Sequence, residues 1–338
     1  MAHVPTAQDA EPRPPATKPP APVVALKTYT ALRLGVVAVI VALGFAVGRA
    51  IAQDPEHCVQ RSLSAYYYTP VRPVFVGALL IIGFAMIAMW GRTFREDAAL
   101  NLAGLLLTVV AFVPTLDATG CTLAAGQPQT PADKEVANSR LILANAPEVQ
   151  SNTVTLLVIL GVVLAGILLW GIRWYAVATA GGVRPQLTAA VRGYAVTWLL
   201  AAAATVVFLL LYRASWVEDP ADPGGRVWDT HSFFNHHVHS WSANVAVALI
   251  VAAVAFAAWD KHRQPDARGR RLWMWTYGVL AAAMVVTTIV IKATAPRFAG
   301  RWYGEHETFL LESALIGLLG VFWVVQTIDR RGEGAPTY

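Results

Sequence analysis

The stretch His236–Trp259, HHVHSWSANVAVALIVAAVAFAAW, decides the class of this chain. Beyond its polar opening it is Ala, Val, Leu, Ile and Phe up to the closing Trp259, with no Asp, Glu, Lys or Arg anywhere in it. A run of about 20 apolar residues covers roughly 30 Å as a helix, the thickness of a bilayer's hydrocarbon. No water is present there to pair with backbone N–H and C=O groups, so such a run must be helical; it also lacks the alternation of a barrel strand.

Working outward, seven further runs read the same way: Tyr29–Gly48, Pro73–Trp90, Ala98–Leu116, Thr153–Ile172, Ala195–Leu211, Leu272–Ile291 and Thr308–Thr327. A hydrophobic content of 56% with only 14% charged residues excludes an ordinary soluble domain,. The fold expected is all-α: a polytopic transmembrane helix bundle of eight spans, with both termini cytoplasmic. Its domains are a disordered Pro-rich tail over 1–28, a transmembrane domain over 29–328 and a short tail over 329–338.

Lys and Arg counts orient the chain. With the N-terminus inside, the inner segments hold 15 Lys/Arg against 8 Asp/Glu, and the outer segments 10 against 12. The strongest inner marker is the run Lys261, Arg263, Arg268, Arg270, Arg271. It reads as a topology signal attracted to anionic headgroups, so the partners expected are membrane lipids and not nucleic acid. The location is then the plasma membrane, multi-pass. Cys58 and Cys121 both fall in outer loops, on one oxidising side, which predicts a Cys58–Cys121 disulfide. The first span reads as an anchor and not as a cleaved signal, because a long Pro-rich lead precedes it. In the outer loops, Pro131–Asn145 is expected to form a short surface helix, and 212–235 to be irregular.

Three polar constellations fall on the outer side. The first is Asp229–Asn244, entering the sixth span, where His236 and His239 would share a face of an α-helix,. Two imidazoles spaced so can hold zinc, with His231 or Asp229 adding a ligand from the loop; an interfacial polar cap is the structural alternative. The second is Glu305-His306-Glu307 followed by Glu312, roughly 6–9 Å inside the outer boundary. An acid at that depth marks a functional position or a buried pair holding helices together. The third runs from Ser62 to Pro73. Its Tyr66, Tyr67 and Arg72 make an aromatic belt or line a pocket for a polar headgroup, with Ser64 beside them.

The phrase Ser64-Ala-Tyr-Tyr-Tyr-Thr-Pro-Val-Arg72-Pro-Val-Phe-Val-Gly77 resembles a second-span opening that recurs in uncharacterised bacterial multi-pass proteins. Asn101–Gly104, Glu312 and Trp323–Gln326 match the later part of that pattern. More distantly, the chain looks like the ceramidase-like and adiponectin-receptor-like membrane hydrolases. That resemblance implies a metal site of the type His236, His239 and His306 with Ser64 nearby. A metal-bound water would attack a lipid amide or ester, with Glu312 or Asp117 as general base. Those hydrolases have seven spans and an His-x-x-x-His pair in the last, which this chain lacks. Two functions therefore stand at this level: a metal-dependent hydrolase of lipid-type substrates at the extracytoplasmic face, or a non-catalytic lipid-sensing or envelope scaffold protein. A carrier ranks last, because the span centres are almost wholly apolar. A haem held by histidines of two helices is a further option.

Overall fold

The computed structural model describes residues 23–115, 131–180, 189–220, 222–263 and 269–331. Hydropathy dictates most of the architecture, and the helices follow it: α1 (Val23–Gln53), α2 (Arg72–Ala88), α3 (Phe94–Phe112), α4 (Pro131–Ala180) and α5 (Ala189–Ala214), then α6 (His239–Arg263), α7 (Arg270–Thr294), α8 (Trp302–Glu305) and α9 (Glu307–Asp329). Of these, α1, α4, α5, α6, α7 and α9 carry stretches long and apolar enough to cross a membrane. Two expected spans differ. The α2 helix has only 17 residues, and α3 opens with Arg95, Glu96 and Asp97. The chain is thus a largely helical, multi-span membrane protein.

Three local expectations are corrected. Pro131–Asn145 is not a separate surface helix but the start of the 50-residue α4. At about 1.5 Å per residue that helix runs roughly 75 Å, well over twice the hydrocarbon thickness, so part of it must stand outside the bilayer. Pro147 lies inside it and withholds the N–H that would bond the Leu143 carbonyl,. Leu143 is exposed, so solvent can satisfy that oxygen. Loop 212–235 holds an antiparallel hairpin, β1 (Trp216–Asp219) with β2 (Asp222–Trp228). Trp216 pairs with Trp228 and Val217 with Val227, cross-strand contacts of the kind that stabilise a sheet, and Gly224 supplies the positive φ of 95°,. Finally, α1 begins at Val23, ahead of Tyr29, because the apolar run already starts there. Residues 1–22 and 332–338 of the two expected tails lie outside the described residues.

The bundle packs around α3, which touches α2, α4, α5 and α6. Its crossing with α2 is close: a Cβ on Gly83 would lie 2.7 Å from the Gly104 carbonyl oxygen, and one on Gly104 would lie 2.5 Å from that of Gly83. Helices in lipid gain nothing from hiding apolar surface from one another, so close approach at small residues supplies the attraction. Ala103 and Ala253 serve likewise at 0% exposure in the main core, beside Met86, Val254, Phe322 and Trp323. A second core joins α3, α4, α5 and the hairpin through Val109, Phe208, Tyr212, Trp228 and Phe234. The opposite faces, with Val162 and Leu169 of α4, Leu210 of α5 and Val279 and Ile289 of α7, are exposed. An apolar exterior suits a hydrocarbon solvent.

Candidate functional site

At the end of the bundle named outer after the charge count above, the first loop is stitched to the α8–α9 corner. A 3₁₀ turn, Ser64–Tyr68, opens with the Ser64 N–H, which finds its partner on α9,. The Glu312 carboxylate accepts from the Ser64 N–H (3.1 Å) and from the Ser64 hydroxyl (3.3 Å). That places two of the candidate catalytic residues together, although 248 positions separate them. The Phe309 N–H donates to the Arg61 carbonyl at 2.8 Å, and Arg61 pairs with Glu305 at 2.9 Å. Lys292 pairs with Glu307 at 3.0 Å. Asp117, the other candidate acid, lies outside the described residues.

The histidines do not converge, and the zinc reading is corrected. Among the described residues no group of three or more His, Cys, Asp or Glu side chains is placed to hold a metal ion. The cause lies in the backbone. Phe234–Val238 forms a π-helical turn ahead of α6, so His236 and His239 do not follow α-helical phase across it,. His236 Nε2 faces the Thr230 carbonyl at 3.0 Å, whereas the buried His239 turns Nδ1 to the Val113 carbonyl at 2.6 Å. At His306 both ring nitrogens face carbonyl oxygens, Trp302 at 2.7 Å and Val59 at 3.1 Å. Both of its ring nitrogens are thus directed at backbone and not at another candidate ligand. His231 stacks on His236 with ring centroids 6.1 Å apart.

Tyr66 and Tyr67 are buried under the first loop, at 2% and 1% exposure. Burial pushes both phenols above their usual pKa; at Tyr67 the Glu148 charge adds to this and Arg72 opposes it,. Arg72 lies over the Tyr67 ring at 4.4 Å and donates to the Tyr67 carbonyl (2.6 Å), Asn145 (2.9 Å) and Glu148 (2.5 Å). These bonds tie the start of α2 to the outer part of α4. Cys58 is half-buried in the first loop; its expected partner, Cys121, lies outside the described residues, and the expected disulfide is not found among those described.

Sequence reasoning missed a second polar layer at the inner end. The turn before α3 places Thr93 as N-cap, its hydroxyl accepting from the Glu96 N–H. Glu96 reaches back to the Arg92 N–H at 2.9 Å, a variant of the capping box for which Thr93-x-x-Glu96 is the sequence signal,. Its other oxygen accepts from Arg330 (2.5 Å) and Gln326 (3.1 Å) at the end of α9. Lys261 of α6 donates to Asp329 at 2.6 Å, and the Tyr277 hydroxyl of α7 donates to the same carboxylate at 3.0 Å. Asp97 accepts from the Gly91 N–H (3.0 Å) and Asn101 (3.1 Å). Glu96, Asp97, Lys261 and Arg330 are all buried.

A cleft opens sideways between α5 and α6. The first packs on α3 and α4 and the second on α3 and α7, so α3 floors the gap between them. The cleft holds about 200 Å³, lined by Leu105 and Val109 of α3, Ala204 and Phe208 of α5, and Trp241 and Val245 of α6. Phe233 and Val238 close its outer end.

Helical spans, an apolar exterior and polar layers at both ends define an integral multi-pass membrane protein. No family model, curated protein or solved structure matches the chain.

Proposed function

We propose that this is a non-catalytic, lipid-sensing membrane protein that takes an acyl chain into the cleft between α5 and α6. The observation that carries this reading is the cleft itself: apolar, open to the side and floored by a helix within the bundle. The outer polar groups support it, because Ser64, Glu312 and His306 bond to the protein's own loops and helices. In this reading α2 and α3 also cross the membrane, giving eight spans. Both termini lie in the cytoplasm of a plasma-membrane protein, the orientation favoured by the basic inner segments.

The test is the thermal stability of detergent-purified protein with and without added phospholipid. A ligand that binds the folded state raises the midpoint. Ala204→Phe, which fills the cleft, is expected to remove most of that increment. An equal increment in wild type and Ala204→Phe would sink the reading.

A further inference from the structure

The cleft leads, at its outer lip, to a row of imidazoles. Phe233 lines the cleft, and its ring centroid lies 4.8 Å from that of His237. His237 directly precedes Val238, another lining residue. It is exposed, and no protein group hydrogen-bonds it among the described residues. The His236 ring follows at 6.2 Å from His237, and His231 stacks on His236 in turn. Asp229 is the single carboxylate in the segment 229–239; its oxygen accepts from the His231 backbone N–H at 2.9 Å. With the metal reading removed, the structure leaves this row without a structural role at its exposed end. His239, which has one, is buried and points to Val113 instead.

An imidazole N–H donates to a phosphate oxygen whether the ring is neutral or charged, and charging strengthens the bond. Trp241, 62% exposed at the same lip, is the residue type that settles at the headgroup boundary,. Apolar walls below, an interfacial Trp at the edge and N–H donors above follow the polarity of a phospholipid from its chain to its phosphate. We propose that the occupant is an anionic phospholipid, with one acyl chain between α5 and α6 and its phosphate on His237, backed by His236 and His231. This rests on the acyl-chain reading of the cleft and adds the headgroup to it.

The experiment is native mass spectrometry of the full chain in detergent with equal amounts of phosphatidylglycerol and of diacylglycerol, which lacks the phosphate, of matched acyl chains. Wild type is expected to retain one lipid, with the phosphatidylglycerol adduct favoured about tenfold, the worth of one hydrogen bond to a charged group. His237→Ala should abolish the preference while a lipid is still retained, and His236→Ala should weaken it. Since His237 is exposed, its loss leaves the fold intact. Ala204→Phe should lose both adducts; Val245→Trp, at a half-exposed position, repeats the blockade should Ala204→Phe not fold. Retention of one lipid without headgroup preference in wild type would overturn the phosphate site and leave the acyl-chain reading standing. No retained lipid in wild type, or retention undiminished in both cleft-filling variants, would overturn both.

Discussion

The two ends of this bundle solve the same problem in opposite ways. At the outer end the ion pairs Arg61–Glu305, Lys292–Glu307 and Arg72–Glu148 are part-exposed, and the other polar side chains bond largely to backbone: Glu312 to the Ser64 N–H, His306 to the Val59 and Trp302 carbonyls, His239 to the Val113 carbonyl. At the inner end, ionised side chains of different helices bond to each other: Glu96 with Arg330 and Lys261 with Asp329. Loop length explains the contrast. The first outer connection, 54–71, is long, and so carries backbone donors and acceptors that need partners,. The α2–α3 connection is short, and α9 ends beside it, so side chains must satisfy one another there. The outer layer is therefore built of separable hydrogen bonds, while the inner layer is a set of buried charges that stand or fall together.

That contrast predicts an order of sensitivity. The largest effect should come from Glu96→Ala or Arg330→Ala. Each strands a buried opposite charge, and chemical unfolding in detergent should show a loss of about 3–5 kcal/mol. Replacing both at once with Leu and Met should recover most of it, which would identify the penalty as an unpaired charge and not a lost shape. An equally damaging double variant would break the comparison. Gly91→Ala should rank next. Its Cβ would lie 2.4 Å from the Asp97 backbone N, so the turn that positions the inner layer must shift, at a cost of about 1–3 kcal/mol,. The smallest effect belongs to the outer layer. Ser64→Ala removes one of the two bonds to Glu312 and leaves the N–H bond in place, for about 1 kcal/mol in the same assay,. A loss as large as that of Glu96→Ala would place the outer pair among the indispensable contacts and erase the distinction.

Part of this was legible residue by residue. The runs Ala195–Leu211, Leu272–Ile291 and Thr308–Thr327 lie within α5, α7 and α9, and His236–Trp259 lies in α6 from His239 onward, because apolar length is a property of the run itself. Failures occurred where a local pattern fits two structures. Pro131–Asn145 and Thr153–Ile172 read as separate helices, yet α4 runs through both and through Pro147, since an exposed turn tolerates one unbonded carbonyl,. The Pro-Gly-Gly segment reads as loop, yet Trp216, Val217, Val227 and Trp228 pair across it. His236 and His239 read as one face, yet a single π turn changes the phase between them. In the inner layer, Lys261, Asp329 and Arg330 were read only as charges at span ends that orient the chain, which conceals that they meet.

The amino-acid sequence alone determined that this protein lives in a bilayer, roughly where its chain is apolar enough to enter it, and which flanks are basic. These follow from transfer energies that each segment carries regardless of its neighbours. Only the tertiary structure decided that Ser64 meets Glu312, that Glu96 meets Arg330, that the histidines part company, and that a cleft remains between α5 and α6. Contact between side chains depends on which helices are neighbours and on their rotation about their own axes. A difference of one residue in helical phase, invisible to hydropathy, turns a ligand into a core residue.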